Sequence, residues 1–74
     1  MDIEKAYENL LKQIAQNIKA QRDVLGISQE ELAHRYGASP RYIQMLESGT
    51  NSPSLHTLLK TAKALGIEIQ DLFR

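Results

Sequence analysis

The stretch Gln29–Ser48 constrains this chain more than any other. It reads Gln-Glu-Glu-Leu-Ala-His-Arg-Tyr-Gly-Ala-Ser-Pro-Arg-Tyr-Ile-Gln-Met-Leu-Glu-Ser, two short helical patterns with Gly37 between them. Glycine accepts the positive φ that a sharp turn between helices demands. The expected result is a bihelical corner. Ala33 is predicted at its closest approach, where a larger side chain would push the helices apart. Leu32, Tyr36, Ile43 and Leu46 supply an inward face, while Pro40, Arg41, Gln44 and Met45 point outward at helical spacing.

The remaining sequence extends the same logic. Gly26, Gly37, Gly49 and Gly66 each follow a helical pattern and read as helix stops. The first helix is predicted from about Ile3 to Leu25, with Ile3, Tyr7, Leu10, Ile14, Ile18 and Leu25 at helical steps. Ser28 caps the second, with Glu31 placed to reach back as a capping box. Ser39 caps the third, and Pro40 takes its first position, where a missing N–H costs nothing. The fourth starts near Pro53-Ser54 and is expected to bury Leu55, Leu58, Leu59, Ala62 and Leu65. A fifth short pattern runs from Glu68 to Phe73. Strand-length alternation is missing, so the fold class is all-α: a compact five-helix domain over 1–74. Within it, 1–12 extend the first helix beyond a 13–74 core.

Composition narrows the function. Seventy-four residues, 42% of them hydrophobic, make one small core. Such a core supplies on the order of 3–5 kcal/mol alone, so dimerisation would help. The chain has no cysteine, which excludes disulfides and thiolate metal sites and points to a cytoplasmic setting. Apolar runs stay well short of the ~18 residues of a membrane span. Asp2 and Glu4 stand where a signal peptide would be basic. Without a glycine-rich phosphate cradle or a cysteine nucleophile, no enzyme or cofactor is expected. His34 and His56 lack convergent carboxylates, so no metal site is expected either. Net charge is zero. A nucleic-acid partner would therefore need segregated charge, and Arg35, Arg41, His34, His56 and Lys60 do gather in the middle and later chain.

A helix held clear of a small domain fits the major groove of double-stranded DNA. From Ile14 to Phe73 the chain resembles the lambda-repressor/Cro-like (XRE) helix-turn-helix domains. The resemblance rests on Ser28-Gln-Glu-Glu-Leu-Ala33, Gly37-Ala-Ser, Tyr42-Ile, Leu46-Glu-Ser-Gly49, Pro53-Ser-Leu-His-Thr-Leu58 and Ala62 through Gly66. It implies that Gln29 touches a phosphate and braces the recognition helix. It further implies that Ser39, Pro40, Arg41, Gln44 and Met45 face base edges and flanking phosphates, and that Tyr42 contacts the backbone. The loop Gly49-Thr50-Asn51-Ser52 would grip the phosphodiester, and Arg22 would pair with Glu47 as an internal salt bridge. Two departures stand out. Pro40 and Met45 replace the usual hydrogen-bonding side chains, and the loop lacks the usual Lys or Arg at Thr50 and Asn51. Readout through DNA shape, or binding as a dimer, would offset both.

Several positions carry two readings. Arg41 can grip guanine O6 and N7, bond a phosphate, or stay solvated. Gln44 can read adenine or belong to a solvated face, and Met45 can touch a thymine methyl or pack on the domain. Tyr42 can meet a phosphate or close an edge of the core; His56 can approach phosphate or remain a plain surface histidine. The leading expectation is a sequence-specific transcriptional regulator, a repressor or autoregulator. It would bind a pseudo-palindromic operator as a homodimer, with helix 39–47 in the major groove. With so short a chain, its signal is expected to be chiefly its own concentration. The alternative is an antitoxin or protein-interaction module whose N-terminal stripe, Ile3, Tyr7, Leu10 and Leu11, holds a protein partner.

Overall fold

Side-chain caps mark where each helix begins. The computed structural model describes residues 2–74, so Met1 of the predicted extension lies outside the described residues. Helix α1 spans Ile3–Leu25, α2 Gln29–Arg35, α3 Pro40–Ser48 and α4 Leu55–Leu65, followed by a 3-10 helix at Ile69–Phe73. Asp2, Ser28, Ser39 and Ser54 hold extended backbone and accept from Lys5 N, Glu31 N, Tyr42 N and Thr57 N at 3.3, 3.0, 3.2 and 3.1 Å. Each cap satisfies one amide that the first helical turn leaves without a partner. No strand occurs among the described residues, and the all-α expectation holds.

Ile14, Ala15 and Ile18 of α1 form the floor of the core. Over them lie Leu32 and Ala33 of α2, Ile43 and Leu46 of α3, and Leu58, Ala62 and Leu65 of α4, with Leu72 closing the end. Ala33 is 1% exposed, as its predicted place between α2 and α3 requires. The corner turns through Gly37 at φ 73°, and Ala38 N returns to Ala33 O at 2.9 Å. The C-terminal segment is tied to α1 by amide side chains. Asn17 Nδ2 donates to Leu72 O at 2.9 Å and to Arg74 O at 2.8 Å, and Gln13 Nε2 reaches Phe73 O at 3.3 Å.

Four details depart from the sequence reading. Leu55 and Leu59 were expected inside but are 69% and 53% exposed. The inward face of α4 is Leu58, Thr61, Ala62 and Leu65; a helix turning 100° per residue carries Leu59 off that arc, and Leu55 stands at the first position of the helix, at the arc's edge. Thr61 is tolerated inside because its hydroxyl donates to Thr57 O at 2.8 Å and meets Tyr36 Oη at 3.2 Å. The fifth element is a 3-10 helix, held at its start by Glu68 N donating to Asp71 Oδ2 at 3.1 Å. Glu31 does not complete a capping box with Ser28; its carboxylate lies 3.8 Å from Arg35 Nε instead. On α1 only Ile14, Ala15 and Ile18 are buried. The 23-residue helix is roughly 35 Å long and sets the 38 Å long axis of the molecule, so its ends outrun the core.

Candidate nucleic-acid interface

Helix α3 presents one face to its own domain and another to solvent. Ile43 and Leu46 are buried, Tyr42 and Glu47 are half-buried, and Pro40, Arg41, Gln44, Met45 and Ser48 are exposed. Arg41, Gln44, Met45 and Ser48 follow steps of three, one and three residues, which places them on one stripe. Among the described residues the Arg41 guanidinium has no ion-pair partner. Met45 is 42% exposed, so its thioether is only partly packed on the domain. The stripe opens at Ser39, whose hydroxyl is committed to the helix cap, and at Pro40, whose ring sets the entry of the helix.

The inner side of α3 is held by a buried charge network. Arg22 of α1 donates from Nε to Glu47 Oε2 at 2.8 Å and from Nη2 to Glu47 Oε1 at 3.0 Å. Its third arm, Nη1, donates to Ile27 O at 2.9 Å. Gln29 of α2 adds Nε2 to Glu47 Oε1 at 3.1 Å. Three helices thus converge on one carboxylate whose side chain is only 5% exposed. These hydrogen bonds to the Glu47 carboxylate raise the Arg22 pKa above its ordinary value, against the opposing effect of burial. A planar guanidinium can fill both carboxylate oxygens at once, which fixes the direction of α3 as well as its position.

Tyr42 lies at the seam of α3 and α4, its hydroxyl donating to Thr57 Oγ1 at 3.4 Å. Arg35, grouped by sequence with the basic surface, donates Nη1 to Ala64 O at 2.9 Å and so closes the end of α4. At the far end of α3, Ser48 Oγ donates to Met45 O at 2.6 Å and meets Thr50 Oγ1 at 2.9 Å. Gly49 stops the helix at φ 77°, a conformation that favours glycine, and a Cβ there would touch α1, 3.4 Å from the Lys12 Cα. The loop that follows leaves Thr50 and Ser52 exposed and Asn51 half-buried. Ser52 Oγ accepts a hydrogen bond from Tyr7 Oη of α1.

The sequence-predicted positions therefore form two groups. Arg41, Gln44 and Met45 on α3 and Thr50 and Ser52 in the loop after it are exposed, whereas Arg22 and Gln29 hold α3 through Glu47 on its inner side. Sequence reasoning did not find the Tyr7–Ser52 contact, the Arg35 closure of α4 or the approach of Lys12 to Gly49. None leaves a local signal, since each pairs residues that are distant along the chain. His34 and His56 are exposed, and no cluster of three metal-ligating side chains occurs among the described residues. No helix among them is long and apolar enough to cross a membrane.

Comparison with known proteins gives the family and the fold. The helix-turn-helix family HTH_3 matches residues 18–72. An uncharacterised HTH-type transcriptional regulator of Methanothermobacter thermautotrophicus is 47% identical over 57 residues, covering 76% of this chain and 83% of the relative. The restriction-modification controller protein C.AhdI from Aeromonas hydrophila superposes with a TM-score of 0.80 at 38% identity, covering 85% of this chain and 96% of that one. A hypothetical transcription factor, NHTF from Neisseria, superposes with a TM-score of 0.85 at 31% identity over 92% of this chain and 78% of that one.

Proposed function

This chain belongs to the XRE-type helix-turn-helix family of transcriptional regulators, and from that premise we propose that it is a sequence-specific repressor or autoregulator acting as a homodimer on a pseudo-palindromic operator. The observation that carries the reading is the α3 stripe: Arg41, Gln44 and Met45 stand exposed on a helix whose inner side is pinned by Arg22, Gln29 and Glu47. A rigid helix with a free polar face can insert into the major groove without an ordering cost. Arg41 is the base-reading cation, paired with guanine O6 and N7. Gln44 and Met45 read neighbouring base edges, the second through apolar contact with a thymine methyl. Ser39 and Pro40 set the approach at the helix start, and Thr50, Asn51 and Ser52 meet the backbone. Gln29 and Tyr42 serve chiefly as braces, since the Gln29 amide nitrogen donates to Glu47 and the Tyr42 hydroxyl to Thr57.

The homodimer draws support from α4, where Leu55 and Leu59 sit one turn apart on its outer face. Leucines so exposed on a marginal core are better accounted for by a contact between two copies than by solvent. Two recognition helices would then lie about 34 Å apart, one turn of duplex. Selecting bound duplexes from a random pool tests this reading, since it reports half-site and spacing together. An inverted repeat is expected. Enrichment of no motif at all would end the proposal.

A second reading has its own observation. Ile3, Tyr7 and Leu10 line the projecting end of α1 and are exposed, Ile3 by 68%. With half-buried Leu11 they form a stripe suited to a protein partner, as in an antitoxin. Co-purification lost on Ile3→Asp plus Leu10→Asp, with DNA binding retained, would support that partner; it is compatible with operator binding.

A further inference from the structure

The loop joining α3 to α4, Gly49–Ser54, carries no charged side chain. A backbone-facing loop on DNA gains most of its affinity from neutralised phosphates, so the charge has to come from elsewhere. The first half of α1, which precedes the family-matched span, touches this loop at both ends. At one end, Lys12 lies against Gly49: a Cβ on that glycine would be 3.4 Å from both Lys12 Cα and Lys12 Cγ. At the other, Tyr7 Oη donates to Ser52 Oγ.

Lys12 differs from its basic neighbours on α1. Lys19 pairs with Asp23 and Arg22 with Glu47, whereas Lys5 and Lys12 are exposed and have no ion pair among the described residues; of these two, Lys12 is the one set against Gly49. Its stem is laid along the end of the recognition helix, which restricts the rotamers of a normally free chain while leaving the ammonium in solvent. Ser52 is placed in a complementary way. A hydroxyl carries one donor and two acceptor sites. With an acceptor site filled by the Tyr7 phenol, its own proton is left for an acceptor outside the domain.

We propose that the N-terminal half of α1 is part of the DNA-backbone grip: Lys12 provides the phosphate-neutralising charge that the α3–α4 loop lacks, and Tyr7 positions Ser52 as a phosphate donor. This rests on the DNA-binding reading above. Lys12 acts as a point charge, so it adds affinity without sequence preference.

The test is duplex affinity at several salt concentrations, on the selected operator and on an unrelated duplex. The set comprises the intact chain, Lys12→Gln, Lys12→Arg, Tyr7→Phe and, as a control, Arg41→Ala. Lys12→Gln should weaken binding equally on both duplexes and reduce the slope of log affinity against log salt by about 1, with Lys12→Arg restoring it. Tyr7→Phe should weaken binding about two- to tenfold with the slope retained, the scale of one lost hydrogen bond. Circular dichroism and thermal midpoints of these surface variants should match the parent. An unchanged slope in Lys12→Gln, while Arg41→Ala still loses selectivity, overturns this proposal and leaves the DNA-binding reading intact. Parent-like binding by Tyr7→Phe removes the role given to Tyr7. Failure of the intact chain to bind either duplex removes both proposals together.

Discussion

Arg22 and Glu47 meet edge to edge, two hydrogen bonds of 2.8 and 3.0 Å joining the first helix to the third. The pair is nearly sealed from solvent, at 12% and 5% side-chain exposure. Removing one member leaves a buried charge without its counterpart. Arg22→Met or Glu47→Leu alone should therefore cost about 3–5 kcal/mol in urea unfolding. The double variant should lose less than the two singles combined. Strict additivity would show that the pair does not act as a unit.

Helix α4 supplies a comparison within one element. Leu58 is buried and Leu59 exposed, though they are neighbours in sequence. Leu58→Ala should cost roughly 2–5 kcal/mol. Leu59→Glu should stay within about 0.5 kcal/mol in the unfolding of the isolated subunit. The same Leu59→Glu should lower the sedimenting mass to that of one chain and make operator binding weaker and non-cooperative. A parent-like sedimentation profile would exclude this face from the dimer contact.

Glycine positions separate backbone strain from crowding. Gly26 and Gly49 both hold left-handed φ, at 68° and 77°, but only Gly49 has atoms within 4 Å of an added Cβ. Gly26→Ala should cost roughly 1–2 kcal/mol, the penalty for an L-residue in that conformation. Gly49→Ala should cost at least as much, because its Cβ would also press on Lys12 at 3.4 Å. A smaller thermal shift for Gly49→Ala than for Gly26→Ala would contradict the close packing at Lys12.

Specificity should depend on Arg41. Arg41→Ala is expected to lose about 1–3 kcal/mol of discrimination at one base pair, read from a panel of single-position operator variants. An even loss across all positions would reassign Arg41 to a phosphate.

Burial raises the Tyr36 phenol above its ordinary value, an effect partly opposed by its hydrogen bond with Thr61. The folded state thus holds the phenolic proton more tightly than the unfolded chain does. Its contribution to stability is complete below the unfolded tyrosine value of about 10 and is lost as pH rises above it. Tyr36→Phe should flatten the alkaline limb of the stability curve, measured by urea unfolding between neutral and strongly alkaline pH. An identical limb in the variant would assign the pH dependence elsewhere.

Local chemistry made much of this protein legible from its sequence. The serines at 28, 39 and 54 cap the helices they precede, and the glycines at 26, 37, 49 and 66 end or turn them, because caps and left-handed turns depend on only a few adjacent residues. The exposed stripe of Arg41, Gln44 and Met45 follows from helical period and one buried face. Tertiary structure alone decided which leucines of α4 face inward, since an apolar helix does not announce which side its neighbours will cover. It also decided that Arg35 closes α4, and that Tyr7 and Lys12 reach the loop after α3. Those contacts span from 29 to 45 residues of sequence for the hydrogen-bonded pairs. The packing of α1 against α3, and of α2 against α4, brings such distant groups within bonding range, and no local pattern encodes that distance.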